Sequence, residues 1–323
     1  TDIVGVETAL ANAKMVIDEI QTDEELTIEE TFVFELTSDG YYYILKDISK
    51  GVSEIVVPAT YRGKPITEIA QNAFSYDDDV VSIDLTNCIS LRKIGNWNFY
   101  DMPNLESVNL SNLTNLMSIG DCCFGNVEKL TTVNFEGLTA LQTIGGSFFT
   151  WGGISTNAEI PVAELNFSDC VSLISIGDMA FWNMPNLKEL DFTNTKLQSI
   201  GYKFILHCDA LETIKLPATL NGLNIGRQNS REHLVEFMTF TPALKEIVVA
   251  QDNPYLVVDN GALMNTAKTT IYKYAVASQA TTYVAPTTVL RVEGHAFYEA
   301  KNLTLIDFTN AKVQVIGFQA FAN

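Results

Sequence analysis

The side chains able to do acid–base, nucleophilic or metal chemistry in this sequence are few and scattered. The histidines are His207, His233 and His295, and none stands beside a serine or cysteine in a nucleophile-elbow pattern such as G-x-S-x-G. They read as surface or turn residues rather than bases. The cysteines are Cys88, Cys122, Cys123, Cys170 and Cys208. An odd number leaves at least one thiol unpaired within the chain. With no C-x-x-C pair and no clustered histidines, zinc is not expected. Asp77-Asp78-Asp79 lacks the spaced oxygen ligands of a calcium loop and reads as a solvated turn. The sequence therefore points to no metal, no cofactor and no catalytic residue, and to a protein that is not an enzyme.

The regularly spaced polar residues are of another kind. Asp84, Asn109, Asn134, Asn166 and Asp191 follow one another at steps of 25, 25, 32 and 25 residues. Each lies between two apolar residues, as in Val108-Asn109-Leu110, an alternation typical of a half-buried strand. In a shared register they form a polar column on an exposed sheet face. That column either solvates the sheet and hydrogen-bonds along itself, or contacts a ligand. Glu106, Glu189, Glu212 and Glu246 flank it and would make the face acidic. Trp151, followed by Gly152-Gly153, is a further candidate. It is either an interface anchor or sugar-stacking platform, or an indole folded back onto the flank.

This spacing belongs to an internal repeat. Ile-Gly pairs stand at Ile94, Ile119, Ile144, Ile176, Ile200, Ile225 and Ile316, with degenerate copies at Ile69-Ala70 and Val292-Glu293. An aromatic follows five residues later at Phe74, Phe99, Phe124, Phe149, Phe181, Phe297 and Phe321, and one place early at Phe204. One unit supplies one short strand and cannot bury its apolar face alone, so units must stack into an array. Cys88 and Cys170 take the place of Leu113 and Leu138, which marks them as buried thiols. They lie three units apart, roughly 14 Å at ~4.8 Å per strand, beyond the ~7 Å that a disulfide spans between Cα atoms. Cys122 and Cys123 read as two reduced thiols or a strained vicinal disulfide.

The pattern L-x-x-V-x-L-x-x-[LC] resembles the leucine-rich repeat. The element I-G-x-x-A-F, seen in Ile176-Gly177-Asp178-Met179-Ala180-Phe181 and Ile316-Gly317-Phe318-Gln319-Ala320-Phe321, is similar to the BspA-type family of bacterial surface antigens. The segment from Asn253-Pro254-Tyr255 through Asp259-Asn260-Gly261 to Ile271 matches a small β excursion that interrupts the array in that family. The resemblance covers roughly Val56 to Phe321. It implies an α/β-type leucine-rich-repeat solenoid, a right-handed superhelix with short parallel strands stacked into one sheet. It also implies an extracellular or cell-surface protein, often of host-associated microbes, that mediates adhesion or partner binding.

Two regions depart from the period. Before residue 55, Ile3, Val6, Leu10, Ala13, Ile17 and Ile20 form one stripe of an amphipathic helix. Two strand-like runs around Ser38-Asp39-Gly40 then signal a hairpin. Together they predict a capping region over 1–55, followed by a solenoid over 56–323 with insertions near 150–160 and 227–286. The chain begins at Thr1 with no leader, which says nothing of its compartment. A net charge of −19 repels phosphate backbones and anionic lipid heads, so nucleic-acid binding is disfavoured. No run of some 18 apolar residues is present for membrane insertion. The expectation is a protein-binding module with a host matrix or mucosal protein as partner, the alternatives being a glycan ligand or a non-catalytic scaffold within a larger surface protein.

Overall fold

The computed structural model describes residues 10, 27–149, 159–221 and 238–323. The helix expected over 3–20 lies outside them, except for the helical, exposed Leu10. Residues 27–31 form one helical turn. Phe32–Leu36 and Tyr43–Ile48 then pair antiparallel, Leu36 opposite Tyr43, as the Ser38-Asp39-Gly40 signal predicts. Strand Tyr43–Ile48 runs parallel to Lys64–Ile69, so the hairpin continues the ladder of the first coil and covers its edge.

From there the chain winds as a solenoid, each coil with three limbs. The first limb holds the Ile-Gly strands. Lys64–Ile69, Lys93–Ile94, Ser118–Ile119, Thr143–Ile144, Ser175–Ile176 and Ser199–Ile200 stand side by side in parallel, with every isoleucine in register. The second limb carries the aromatic. The expected solenoid is thus present, but this return limb is not helical. Trp97, Phe99 and Asp101 alternate into positive φ at 61°, 55° and 54°. Such alternation turns successive N–H groups to one side, where Trp97 donates to the carbonyl of Asp121 at 2.8 Å and Asp101 to that of Gly125 at 2.9 Å. Near the C-terminal half this limb regularises into Phe181–Trp182, Ile205–Leu206 and Met238–Thr239, paired in parallel.

The third limb holds the strands that alternate Val-x-Leu. Ser82–Asp84, Ser107–Asn109 and Thr132–Asn134 form one parallel ladder with Glu54–Val56. Glu189–Asp191, Thr213–Leu216 and Glu246–Val249 form another. The parallel strands therefore occupy separate ladders on different limbs rather than one sheet. The reason is length. A coil of about 25 residues has to turn three corners, and each corner interrupts pairing. Two successive turns, closed by Cys88 N–H to Leu85 C=O and by Leu91 N–H to Cys88 C=O, both at 2.8 Å, carry the chain from the third limb back to the first.

The core is a set of side-chain columns. Phe74, Phe99, Phe124 and Phe149 stack ring on ring at centroid spacings of 5.4, 5.1 and 5.4 Å. Phe135, Phe167 and Phe192 make a second column at 5.1 Å steps. All seven are buried. The β excursion is a three-strand meander, Leu256–Asp259, Ala262–Asn265 and Thr270–Tyr274. Asn260 and Gly261 form its tight turn, both at positive φ (49° and 81°), as the right-handed strand twist favours. Its last strand pairs in parallel with the first-limb strand Arg291–Val292, which in turn pairs with Val315–Ile316, in a sheet separate from the first.

The Ile-Gly glycines are required by space. A Cβ on Gly145 would sit 2.4 Å from the carbonyl carbon of Gly120, and one on Gly201 would sit 2.3 Å from the nitrogen of Asp178. Both are fixed backbone of the preceding coil, so no rotamer relieves the contact. Gly145→Ala is expected to lower unfolding free energy by about 1–3 kcal/mol, as overpacking does, read as a lower urea midpoint. A wild-type midpoint for this variant would disprove the close-approach reading.

Candidate functional site

The polar column lies on the third limb, and its register is as predicted across one ladder: Asp84 opposite Asn109, and Asn109 opposite Asn134. Asp191 begins the second ladder, opposite Lys215. Asn166 occupies the same place in its coil but belongs to no strand. All are partly or well exposed.

These side chains have a local task. The Oδ1 of each accepts the backbone N–H two residues on: Asp84 from Thr86 at 2.8 Å, Asn109 from Ser111 at 3.1 Å, Asn134 from Glu136 at 2.9 Å. Asn166 from Ser168 and Asp191 from Thr193 follow at 2.9 Å each, and Asp307 from Thr309 at 2.7 Å. This is the Asx turn, in which a short carbonyl side chain ends a strand by capturing a backbone donor. Where the column lacks such an acceptor, at Lys215 and Val248, the strands run to four residues instead of three. Sequence pattern alone exposed the column but not this use, because a polar residue at an outward strand position already has a sufficient reason in solvation.

Charge on the face is partly neutralised. Lys215 bridges Glu189 at 2.5 Å and Asp191 at 3.0 Å, and Lys245 pairs with Glu212 at 2.8 Å. Partial burial works to raise the Asp191 carboxyl, but hydrogen bonds from Thr193 and Lys215 outweigh it, so its pKa falls below the ordinary value. Glu106, Thr132, Glu164 and Glu246 are exposed and do not terminate strands.

The face opens between its first two ladders. Segment 163–167 alternates exposed and buried residues like a strand, but among the described residues none of its N–H groups donates to a main-chain acceptor. The rung that Leu110 makes to the carbonyl of Asn134 at 3.2 Å has no counterpart from Phe135 to Asn166. A cleft of about 670 Å³ opens there, walled by Ala163, Glu164, Asn166 and Ser168 on one coil and Lys188, Glu189, Asp191 and Thr193 on the next. The core beneath stays closed, since Phe167 stacks on Phe135 and Phe192 at 5.1 Å. This is the coil enlarged by seven residues in the sequence, Ile144 to Ile176. The enlargement itself, with Trp151, lies outside the described residues.

The remaining candidates resolve as structural groups, some not as expected. Asp77 is not in a solvated turn. Its carboxylate is fully buried, receives the N–H of Asp79 at 2.9 Å and faces Lys50 at 3.2 Å. His295 is a turn residue but buried rather than at the surface, with Nε2 3.0 Å from Gln319 Oε1. His207 stacks on Phe240 at 4.3 Å, and His233 lies outside the described residues. All five thiols are free and buried, Cys122 and Cys123 included. Cys123 donates to the carbonyls of Gly95 and Gly120, the same duty that the buried Asn98 amide performs one coil earlier on Ala70 and Gly95. Among the described residues no three His, Cys, Asp or Glu side chains are grouped to hold a metal ion, and no helix is long and apolar enough to cross a membrane.

A β-solenoid whose coils present one exposed polar face defines a repeat module. The sequence matches the BspA type leucine rich repeat region, six copies over residues 49–161, 159–247 and 266–323. The chain belongs to that family. Among solved structures it resembles the pneumococcal vaccine antigen PcpA, with a TM-score of 0.59 at 19% identity over 90% of this chain and 66% of that one. It also resembles a leucine rich cell surface protein from Faecalibacterium prausnitzii A2-165, with a TM-score of 0.55 at 18% identity over 89% of this chain and 75% of that one. At such identity the likeness is one of fold. The chain spans just under two thirds of the pneumococcal antigen's length. No curated protein matches the sequence.

Two outcomes follow from this chemistry. Asn134→Ala removes the strand-ending acceptor and is expected to cost about 1 kcal/mol, while Asn134→Asp keeps it and stays within a few tenths; chemical denaturation of both variants separates a turn role from mere solvation. Burial pushes the thiols of Cys88, Cys170 and Cys208 up to about 12 and that of Cys122 up to about 11, and raises Cys123 also. An aromatic disulfide reagent at pH 8 should leave the folded chain unmodified and titrate five thiols after unfolding; rapid native labelling would contradict the burial.

Proposed function

We propose that this chain is a secreted or cell-surface, adhesin-type module of a host-associated bacterium that binds a protein partner, such as a host matrix or mucosal protein, through the third-limb face. The observation that carries this reading is a division of labour on that face. The Asx column fixes the strand ends, while the outward residues beside it, Glu106, Thr132, Glu189 and Glu246 among them, are free to vary with a partner. Stacked coils extend such a surface without needing a pocket. Membership of a family of repeat regions supports the reading, as do a vaccine antigen and a cell surface protein among the structures of like fold. The residues proposed to line the face are Asp84, Asn109, Asn134, Asn166 and Asp191, each with a polar atom beyond the one spent on its turn, that of Asp191 being held by Lys215.

A second reading, a carbohydrate ligand, has one observation in its favour. Tyr76, more than half exposed, and the partly exposed Trp97 both stand edge-on to Tyr100, at centroid distances of 5.6 and 5.0 Å. Exposed rings held in fixed orientation are what sugar stacking needs. This pair lies on the second limb, away from the polar column.

The test is capture from mucosal and matrix extracts by the intact chain and by a triple variant, Glu106→Lys, Thr132→Lys and Glu246→Lys, which reverses or adds charge without touching a strand-ending acceptor. A partner retained by the intact chain and at least tenfold depleted by the variant is the expected result. Equal capture by both would move binding off this face, and glycan-array binding lost with Tyr76→Ala would favour the sugar reading.

A further inference from the structure

The break in the third-limb ladder is a place where main chain, rather than side chain, is left to be recognised. Backbone N–H and C=O groups are strong and nearly always paired in folded proteins. In the regular coils they are used up: Glu106 donates to Val81, Thr131 to Glu106, Glu212 to Lys188 and Lys245 to Glu212, at 2.8–2.9 Å. No such bond joins segment 163–167 to Thr132–Asn134 on one side or to Glu189–Asp191 on the other. Segment 163–167 and Glu189–Asp191 therefore face each other across one cleft with no main-chain rung between them among the described residues. The aromatic column and the Ile-Gly ladder hold the coil in place beneath, through Phe167 and through Thr143–Ile144 paired with Ser175–Ile176. The opening is thus confined to one limb and supported from below.

We infer that this cleft binds an extended, lysine- or arginine-bearing polypeptide segment by strand addition, its main chain bonding to residues 163–167 and its cationic side chains facing Glu164 and Asp191. This rests on the binding-module reading and names a site within it. Strand addition obtains affinity from main-chain hydrogen bonds and specificity from alternate side chains. The charge argument gives the sign. Glu164, Glu189 and Asp191 line the cleft against Lys188. Among the described residues Glu164 has no ion-pair partner, whereas Glu189 and Asp191 share Lys215. The chain as a whole carries −19, which draws in cations from a distance.

The experiment uses the intact chain and an alternating Lys-Thr peptide of about six residues, the length of an ordinary strand, together with the same peptide N-methylated at every second residue. Calorimetry measures affinity, and amide chemical shifts locate it. Binding with shifts confined to 163–168 and 188–194 is expected, weakened about tenfold, or 1.4 kcal/mol, by N-methylation and several-fold by Glu164→Lys. Glu35→Lys, on the exposed side of hairpin strand Phe32–Leu36 and outside both the face and the cleft, should leave the peptide affinity unchanged. Equal affinity for the methylated peptide would reduce the effect to charge attraction and overturn the inference, as would absence of binding, shifts elsewhere, or displacement by a free oligosaccharide. Loss of peptide binding alongside continued capture of a partner that the triple variant loses would sink this site while leaving the binding-module reading intact.

Discussion

The close approach of backbone to backbone at the Ile-Gly corner governs this fold. Each coil lies against the one before it, and at Gly95, Gly120, Gly145, Gly177 and Gly201 the space that a side chain would need is filled by main chain. The two degenerate copies mark where that constraint lapses. Ala70 follows the hairpin strand Tyr43–Ile48, and Glu293 follows the meander strand Thr270–Tyr274. In both cases the preceding neighbour is a longer, flatter strand and not the corner of a regular coil. A side chain is accommodated at both, that of Glu293 in a buried position. The glycine returns at Gly317, whose Cβ would lie 2.3 Å from the nitrogen of Gly294. A missing glycine in this repeat is thus a sign of a boundary between regular coils and something added to them.

The third limb works by a different constraint. Where an Asn or Asp oxygen caps them its strands stop after three residues before the chain turns back toward the Ile-Gly strand, and at Lys215 and Val248 they run to four. One atom of the side chain faces its own backbone and the other points outward, where that of Asp191 meets Lys215. The column is consequently poor at specifying a ligand by itself, since its residue type is held fixed by folding. Variation has room at the neighbouring outward positions, where glutamate, lysine, serine and threonine alternate from coil to coil. Rigid columns and variable neighbours together give a surface whose shape is inherited and whose chemistry is adjustable.

Much of this was legible in the sequence, and for identifiable reasons. Repetition amplifies weak signals, so the inward Leu, Val, Ile and Phe positions, the hairpin and the Leu-like place of Cys88 and Cys170 all emerge from spacing. What failed to emerge depends on contacts between coils that spacing does not encode. The burial of Asp77 requires Lys50 from the preceding coil, 27 residues back. His295 is buried through its meeting with the C-terminal coil at Gln319. The non-helical second limb rests on alternating positive φ at Trp97, Phe99 and Asp101, residue types that give no such warning. Asn98 and Cys123 look unrelated in sequence, yet both donate to the carbonyls of their own and the preceding coil.

The same reasoning explains why a break in regularity is the place to look for recognition. A solenoid coil in perfect register spends its main-chain groups on its neighbours and offers a partner side chains alone. An enlarged coil cannot keep all three limbs in register at once, because the extra residues must be absorbed at one of them. Here the Ile-Gly limb stays paired through Ile144 and Ile176 and the aromatic column stays stacked, so the mismatch is expressed at 163–167. Stability favours that outcome. The first limb and the core hold buried apolar surface, whereas the third limb faces water, which satisfies an open strand edge at little cost. An unpaired edge in water is also a standing template for another strand. The short length of this one and the carboxylates around it limit which chains can pair with it, turning a general liability into a selective one.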